Sequence, residues 1–358
     1  MKVALTGYPN SGRSTIFVTL CDSFTETSID KGRLKVKLGS SKIEDHRVEK
    51  IAEIYNSPKI TLSEIQFNDF EYAQDTSTES KGLDDQMIAQ LKMVDALVFV
   101  VRGFIDESIY YRFDTIDPLR DAKSLESDMI ITDMASAEKR MSRLEVDLHK
   151  GKKDLQAEYD LIFRINDILN DERPLRLEEF TNDEMKTIRG FEFLTLKKGI
   201  VLINADDDGN FPGDENEIRE WAHDKGLNLL VLRGKLQAEL KELDEEDKAA
   251  FMEDMGVGEP ALVKFIKTLY KAIGIIHFFT AGDTEARSWT LHKGSTAYDA
   301  AGVIHTDFQT RFIRAEVMKY DDIVKYGSEK ACKEAGVYKS EKREYIVQDG
   351  DIIFFRHN

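Results

Sequence analysis

Residues 7–15 read GYPNSGRST and have the residue types that hold a phosphate. Gly7 and Gly12 let the backbone wrap an anion, and the amides of Asn10, Ser11, Gly12, Arg13, Ser14 and Thr15 would point at it. Ser14 is placed to ligate a magnesium ion. Arg13 stands where a phosphate loop has lysine. It keeps the charge, but its planar fork is bulkier than an ammonium, so phosphate binding is expected to survive better than catalysis. A tight strand-to-helix turn without a ligand is the structural alternative.

The surrounding pattern supplies the frame such a loop needs. Residues 2–7 read as a buried strand and residues 13–21 as a helix. Further apolar strands fall at residues 63–69, 95–102, 199–204 and 227–232, with helical patterns at 84–93 and 214–225. Strands alternating with helices predict an α/β fold, a doubly wound and mostly parallel sheet.

Between residues 118 and 198 the pattern becomes long, charged and helical, with Leu125, Met129, Thr132, Ala135, Met141, Leu144 and Leu148 at near-heptad spacing. A helical hairpin insertion is expected, breaking at Lys150, Gly151 and Lys152, with a second helix to Leu169 and a further helical piece at 181–195. After residue 275 short strands punctuated by glycine predict a separate small domain. The expected boundaries are 1–117 and 199–275 for the nucleotide-binding domain, 118–198 for the hairpin and 276–358 for the C-terminal domain.

Composition narrows the class. The formal charge of −17 argues against sequence-blind nucleic-acid binding by the whole chain, although residues 277–358 hold 12 Lys and Arg against 13 Asp and Glu and could form a local basic face. The N-terminus has no signal-peptide pattern, and the longest apolar runs, such as ALVFVV at 96–101, fall well short of the ~20 residues that span a bilayer. Two distant cysteines, Cys21 and Cys332, read as packing residues in a reducing compartment. A cytoplasmic protein without a membrane partner is expected.

The whole chain resembles the YchF family, in the Obg-related branch of translation-factor-like P-loop NTPases. The likeness rests on GYPNSGRST, on LDDQMIAQLKMVDALVFVVR at 83–102 and on LDEEDKAAFMEDMGVGEPALVKFIKTLY at 243–270. It is most specific in FFTAGDTEARSWTLHKGSTAYDAAGVIHTDFQTRFIRAEVMKYDD at 278–322 and YIVQDGDIIFFR at 345–356. The resemblance implies a C-terminal β-grasp domain of the TGS type, a purine nucleotide ligand (ATP or GTP with Mg²⁺) and a ribosome or RNA partner reached through the hairpin and TGS domain.

In that family an NxxE segment replaces the guanine-reading NKxD. Here the strand GIVLIN ends in Asn204, Ala205, Asp206 and Asp207. Asn204 matches the family's asparagine and Asp207 its glutamate. The Asn204 amide could donate to a purine ring nitrogen, the backbone beside Ala205 could touch the base, and Asp207 could accept from a ring N–H or an exocyclic amine. That leaves ATP against GTP open, and a plain helix N-cap is the alternative for Asp207.

Elsewhere the resemblance breaks down. Where the family's switch II has a DxAG motif, Asp69 is followed by Phe70, Glu71 and Tyr72; Asp69 could hold Mg²⁺ through water, while Glu71 and Tyr72 would crowd a γ-phosphate. No match to the family's switch I threonine lies between Cys21 and Asp45. Loss of these groups should cut turnover, so a nucleotide-binding regulatory protein with weak or lost hydrolysis is the first reading. An active ATPase or GTPase completed by a partner and a nucleotide-independent scaffold are its rivals, and no catalytic residue is nominated. In the C-terminal region His305, Thr306 and Asp307 read as a turn and contact loop; Phe308, Arg311, Phe312 and Arg314 could form a stacking and phosphate-contact face for RNA, although aromatic residues in a small β module are more often core.

Overall fold

The computed structural model describes residues 1–29, 34–72, 85–244, 247 and 260–357, leaving aside the side chains of Ser28, Ile29, Leu34, Glu71 and Tyr72. Its contacts divide into two units. One comprises Lys2–Ser40 and Gln66–Ala272, and the other Ser41–Ile65 and Ile273–Asn358 together with Met1.

The larger unit is built on strands β1 (Lys2–Thr6), β2 (Ser23–Ile29), β3 (Leu34–Lys42), β5 (Glu64–Tyr72), β6 (Ala96–Arg102), β7 (Gly199–Asn204) and β8 (Leu227–Leu232), in the order β2-β3-β5-β1-β6-β7-β8. The pairs β5/β1, β1/β6, β6/β7 and β7/β8 are parallel. Strands β6 and β7 are buried at every position, as runs of Val, Ile and Leu must be when helices cover both faces of a sheet. The doubly wound sheet is thus as expected. What the sequence did not announce is the β2–β3 antiparallel hairpin, paired from Ser23↔Ser40 to Ile29↔Leu34 across the segment where switch I was sought.

Helix α1 (Arg13–Leu20) follows β1, α3 (Asp85–Lys92) precedes β6, α7 (Glu215–Asp224) lies between β7 and β8, and α8 (Gly234–Glu242) follows β8. The hairpin consists of α4 (Pro118–His149) and α5 (Gln156–Asn170), with Asp117 capping the start of α4 and Gly151 turning the chain at φ 88°. Its seam differs from the heptad reading. Leu125 and Met129 pack into the core beside the sheet, while Ile130, Ala137 and Leu144 face Leu161, Ile162 and Ile165 of α5; Ala135 is exposed. A straight helix of 3.6 residues per turn drifts against a seven-residue repeat, so its buried stripe moves from one partner to the next. The third helical piece is shorter than expected: α6 (Asn182–Ile188) ends in a 3₁₀ turn, and Glu192 at φ 50° closes it before buried Phe193 and Leu194.

In the smaller unit β4 (Ile60–Thr61), β9 (Ile275–Ala281), β10 (Ala286–His292), β11 (Phe312–Lys319), β12 (Lys339–Glu341) and β13 (Asp351–His357) form a mixed sheet in the order β12-β11-β13-β9-β10-β4. Central β13 and β9 run parallel between antiparallel neighbours, and a helix at Ala297–Ile304 packs on the sheet, a β-grasp arrangement.

The stretch 1–117 does not stay within one unit. Residues 41–65 belong with the C-terminal sheet: helix α2 (His46–Tyr55) lays Val48, Ile51 and Ala52 against Phe279, Ala286, Met318 and Ile352, and β4 pairs with β10. Asp45 fastens this segment by accepting from Arg47 and sitting 2.9 Å from Nδ1 of buried His277. Both cysteines are buried and free, and burial pushes the Cys21 thiol up to about 12. No helix among the described residues is long and apolar enough to cross a membrane.

Candidate functional site

The strands of the larger unit end their C-terminal sides together, where open α/β sheets place their ligands. Arg102, Asn204 and Leu232 stand side by side as the last residues of β6, β7 and β8. Beside them a cavity of about 370 Å³ is lined by Gly12 and Thr15, by Phe104, Ile105, Asp106 and Ile109 after β6, by Asn204–Asp207, and by Lys235, Glu239 and Glu242 of α8.

The loop after β1 forms one end of this cavity. Asn10 is left-handed at φ 65° and Gly12 at φ 84°; Gly7 is required because a Cβ there would meet the Val100 carbonyl oxygen at 2.3 Å. Gly12 caps α1 without a side-chain acceptor, and the first turn of the helix carries no acid. The helix start therefore keeps its positive end and the amides of residues 12–15 for a ligand, whereas the Ser11 amide, also expected to face it, donates to the Tyr8 carbonyl at 3.2 Å. Asn10 donates to the Tyr110 carbonyl at 2.9 Å, and Tyr8 donates to Ser124 of α4 at 2.6 Å, which ties the loop to the base of the hairpin.

Asn204 holds the two halves of the site together. Its amide Nδ2 donates to the Ser11 carbonyl at 3.2 Å, and its Oδ1 accepts from Gly234 N at 3.1 Å. Nδ2 carries two hydrogens, so this structural tie uses one of the two donors that Asn204 was expected to offer a base. The amides of Ala205 and Asp206 are committed, since Ala205 N donates to Leu232 O and Asp206 N to Asn210 O, and Ala205 lines the cavity. Asp207 lines the cavity and takes Lys235 Nζ at 2.9 Å. It does not cap a helix: Asp214 caps α7, and Asp206 closes the intervening turn by accepting from Asp208 N and Asn210 N.

Two residues with roles here carried no role in the sequence reading. Lys235 follows β8 by three residues, and the rule that ligands sit beyond parallel strand ends would have pointed to it. Arg102 is 1% exposed; its guanidinium donates to the carbonyls of Phe104, Asp106 and Ile109 and lies over the rings of Phe104 and Tyr111. It shapes the loop that forms the cavity's apolar wall. Nothing local to VVR signals that a buried arginine would be spent on backbone.

The chain matches known proteins over its full length. The Bacillus subtilis (strain 168) protein named ribosome-binding ATPase YchF is 32% identical, with 100% of this chain and 99% of that protein covered. Obg-like ATPase 1 of Gallus gallus is also 32% identical, covering 100% of this chain and 92% of that one. The chain belongs to the YchF family. The family model YchF-GTPase_C, described as a protein of unknown function (DUF933), matches residues 275–358. The solved structure of the Schizosaccharomyces pombe YchF GTPase superposes with a TM-score of 0.80 at 26% identity, covering 99% of this chain and 97% of that one.

P-loop proteins of this class hold a divalent cation between the first-turn Ser or Thr and a strand carboxylate. This YchF-family chain brings the two together: Ser14 Oγ donates to Asp69 Oδ2 at 2.9 Å. The other oxygen, Oδ1, is taken by Arg13 Nε, and Asp69 is fully buried. The Arg13 fork also donates to the carbonyls of Gly7 (2.9 Å) and Phe70. Asp69 is thus already charge-paired with the Arg13 guanidinium, while Ser14 Oγ, donating to it, keeps its own lone pairs. Arg13 correspondingly points at the strand ends rather than into the cavity. The side chains of Glu71 and Tyr72 and the segment 73–84 lie outside the described residues, as do parts of the stretches at 83–102 and 243–270.

In the smaller unit His305 Nδ1 accepts from Asp307 N at 3.1 Å and caps a five-residue helix, which is the turn expected. Phe308 stacks on His357 with centroids 4.2 Å apart, Phe312 packs on Phe355, and Arg311 and Arg314 are exposed.

Proposed function

We propose that the chain binds a purine nucleotide, with the phosphates on the amides of residues 12–15 and the base in the cavity between Phe104, Ala205 and Asp207, and that it acts on the ribosome with weak or no hydrolysis. One observation carries this reading. The cavity opens beside Gly12 and Thr15 at its phosphate end and beside Asp207 at its base end, in the crevice where the sheet's strands finish. The cavity lining also includes Asp106, Asp206, Asp207, Glu239 and Glu242, acceptors suited to ring N–H and exocyclic amine donors.

Weak hydrolysis follows from Arg13. Phosphoryl transfer needs charge placed on the γ-phosphate, and the guanidinium that replaces the usual lysine is held by Asp69, Gly7 and Phe70. The ribosome enters as partner because the Bacillus subtilis relative is named a ribosome-binding ATPase. Docking through the hairpin and through the Phe308, Arg311, Phe312 and Arg314 face would suit RNA, whose unpaired bases stack and whose phosphates take arginine. Work on ribosomes would place the protein in the cytoplasm.

Calorimetric titration with ATP, GTP and ADP tests the ligand, and phosphate release with and without ribosomes tests turnover. Saturable binding with negligible release is expected. No heat with any nucleotide would leave a scaffold; brisk release would leave an enzyme.

A further inference from the structure

We infer that Arg13 is the resident cation of this phosphate loop, and that the nucleotide the site takes is the metal-free form. The inference rests on the nucleotide-binding reading above and specifies what that site accepts.

The observation is a closed set of bonds. Asp69 is fully buried on β5, and its two oxygens are taken by Arg13 Nε and Ser14 Oγ. The remaining nitrogens of the guanidinium reach the Gly7 carbonyl at the end of β1 and the Phe70 carbonyl on β5. These acceptors belong to neighbouring parallel strands whose register sets Leu5 opposite Asp69, so the backbone itself fixes where the fork must sit.

A lysine cannot make this set. Its ammonium is a single nitrogen on a flexible stem, whereas the planar fork presents several donors in fixed directions to three acceptors at once. The departure from lysine is therefore matched by the geometry around it rather than merely tolerated.

The consequence concerns the metal. A magnesium ion demands near-octahedral oxygen ligands at about 2.1 Å and sheds water reluctantly. Asp69, already charge-paired with the Arg13 guanidinium, attracts such an ion less, directly or through water, and the ion would sit near a guanidinium in a site shielded from solvent, where like charges repel strongly. Turning Arg13 out instead would leave the Gly7 and Phe70 carbonyls without this donor. The phosphates are left to the backbone amides and the uncapped start of α1.

The test is titration of the wild-type chain with ADP and ATP in excess EDTA and again in millimolar Mg²⁺. Dissociation constants within about twofold of each other are expected. A tenfold or greater gain in Mg²⁺ would overturn the inference while leaving nucleotide binding intact. Absence of binding in both buffers would remove the nucleotide reading and the inference with it. Asp69→Asn supplies the second arm: it removes the carboxylate a metal needs while the Gly7 and Phe70 carbonyls still hold the fork, so metal-free affinity should stay within about twofold of wild type. A fall in affinity confined to Mg²⁺ buffer would show that Asp69 serves a metal.

Discussion

The side-chain amide of Asn204 lies 3.2 Å from the carbonyl oxygen of Ser11, 193 residues earlier in the chain, and a Cβ built on the adjacent Gly12 would stand only 1.9 Å from that same amide nitrogen. The phosphate loop and the base-side strand are thus joined through a gap that only glycine leaves open.

Gly12→Val should accordingly abolish nucleotide binding. The substitution also forces a branched side chain into φ 84°, a left-handed conformation it rarely adopts. We expect affinity to fall by a hundredfold or more, a loss of about 3 kcal/mol, with the far-ultraviolet circular dichroism retained. Unchanged calorimetric affinity would mean that the ligand does not sit on this loop.

Arg13→Lys should tighten triphosphate binding about three- to tenfold, because a single ammonium cannot satisfy Asp69, Gly7 and Phe70 together and is free to turn toward the β- and γ-oxygens. Turnover should nevertheless stay low. The segment that would supply a switch I threonine holds Thr25 and Thr27 in the paired β2 strand. A large rise in phosphate release from this substitution alone would show that the loop lacked nothing else.

Within the larger unit, Glu126 of α4 and Arg176 form a buried ion pair with side chains 3% and 1% exposed. Arg176 also donates to the Lys225 carbonyl at 2.6 Å. Arg176→Met strands a buried carboxylate and should cost about 3–5 kcal/mol. Adding Glu126→Leu should restore part of that, but not all, since the Lys225 carbonyl still lacks its donor. Denaturant unfolding followed by Trp221 fluorescence measures both steps; equal stability of the single and double variants would refute the pair's role.

Glu316 gives the smaller unit a defined acid sensitivity. Hydrogen bonds from Arg356, joined by Tyr338 and Arg314, hold its carboxyl at about 2 against an ordinary 4.5. The depressed value means that the stabilisation is fully present above pH 4.5 and is lost as pH falls toward 2. Both arginines are half exposed, so solvent screening reduces the contribution to about 1–2 kcal/mol. In a Trp221→Phe background Trp289 reports on this unit. The stability gap between wild type and Glu316→Gln should be constant near neutrality and close below pH 4.5; a gap unchanged at pH 3 would exclude this linkage.

The features legible in the sequence are those decided within a few residues. The phosphate loop is one, because a buried strand, glycines at 7 and 12 and a helix start make the turn by local sterics alone. So are the all-apolar β6 and β7 strands, which must be covered on both faces, and the break of the hairpin at Gly151. The family likeness was readable for the same reason, since its motifs are contiguous.

What tertiary structure alone decided are the partners that compete for a side chain over long separations. Arg13 could have faced phosphate or protein, and the choice fell to Asp69 and Phe70, brought beside it by the register of β1 and β5. Asn204 was brought beside Ser11 and Gly234, and bonds both, by the alignment of strand ends. Residues 41–65 left the unit of their sequence neighbours because the apolar stripe of α2 finds its cover on the C-terminal sheet. Hydrogen-bond capacity and apolar faces are written in each residue, but which acceptor or surface satisfies them depends on what the folded chain brings within reach.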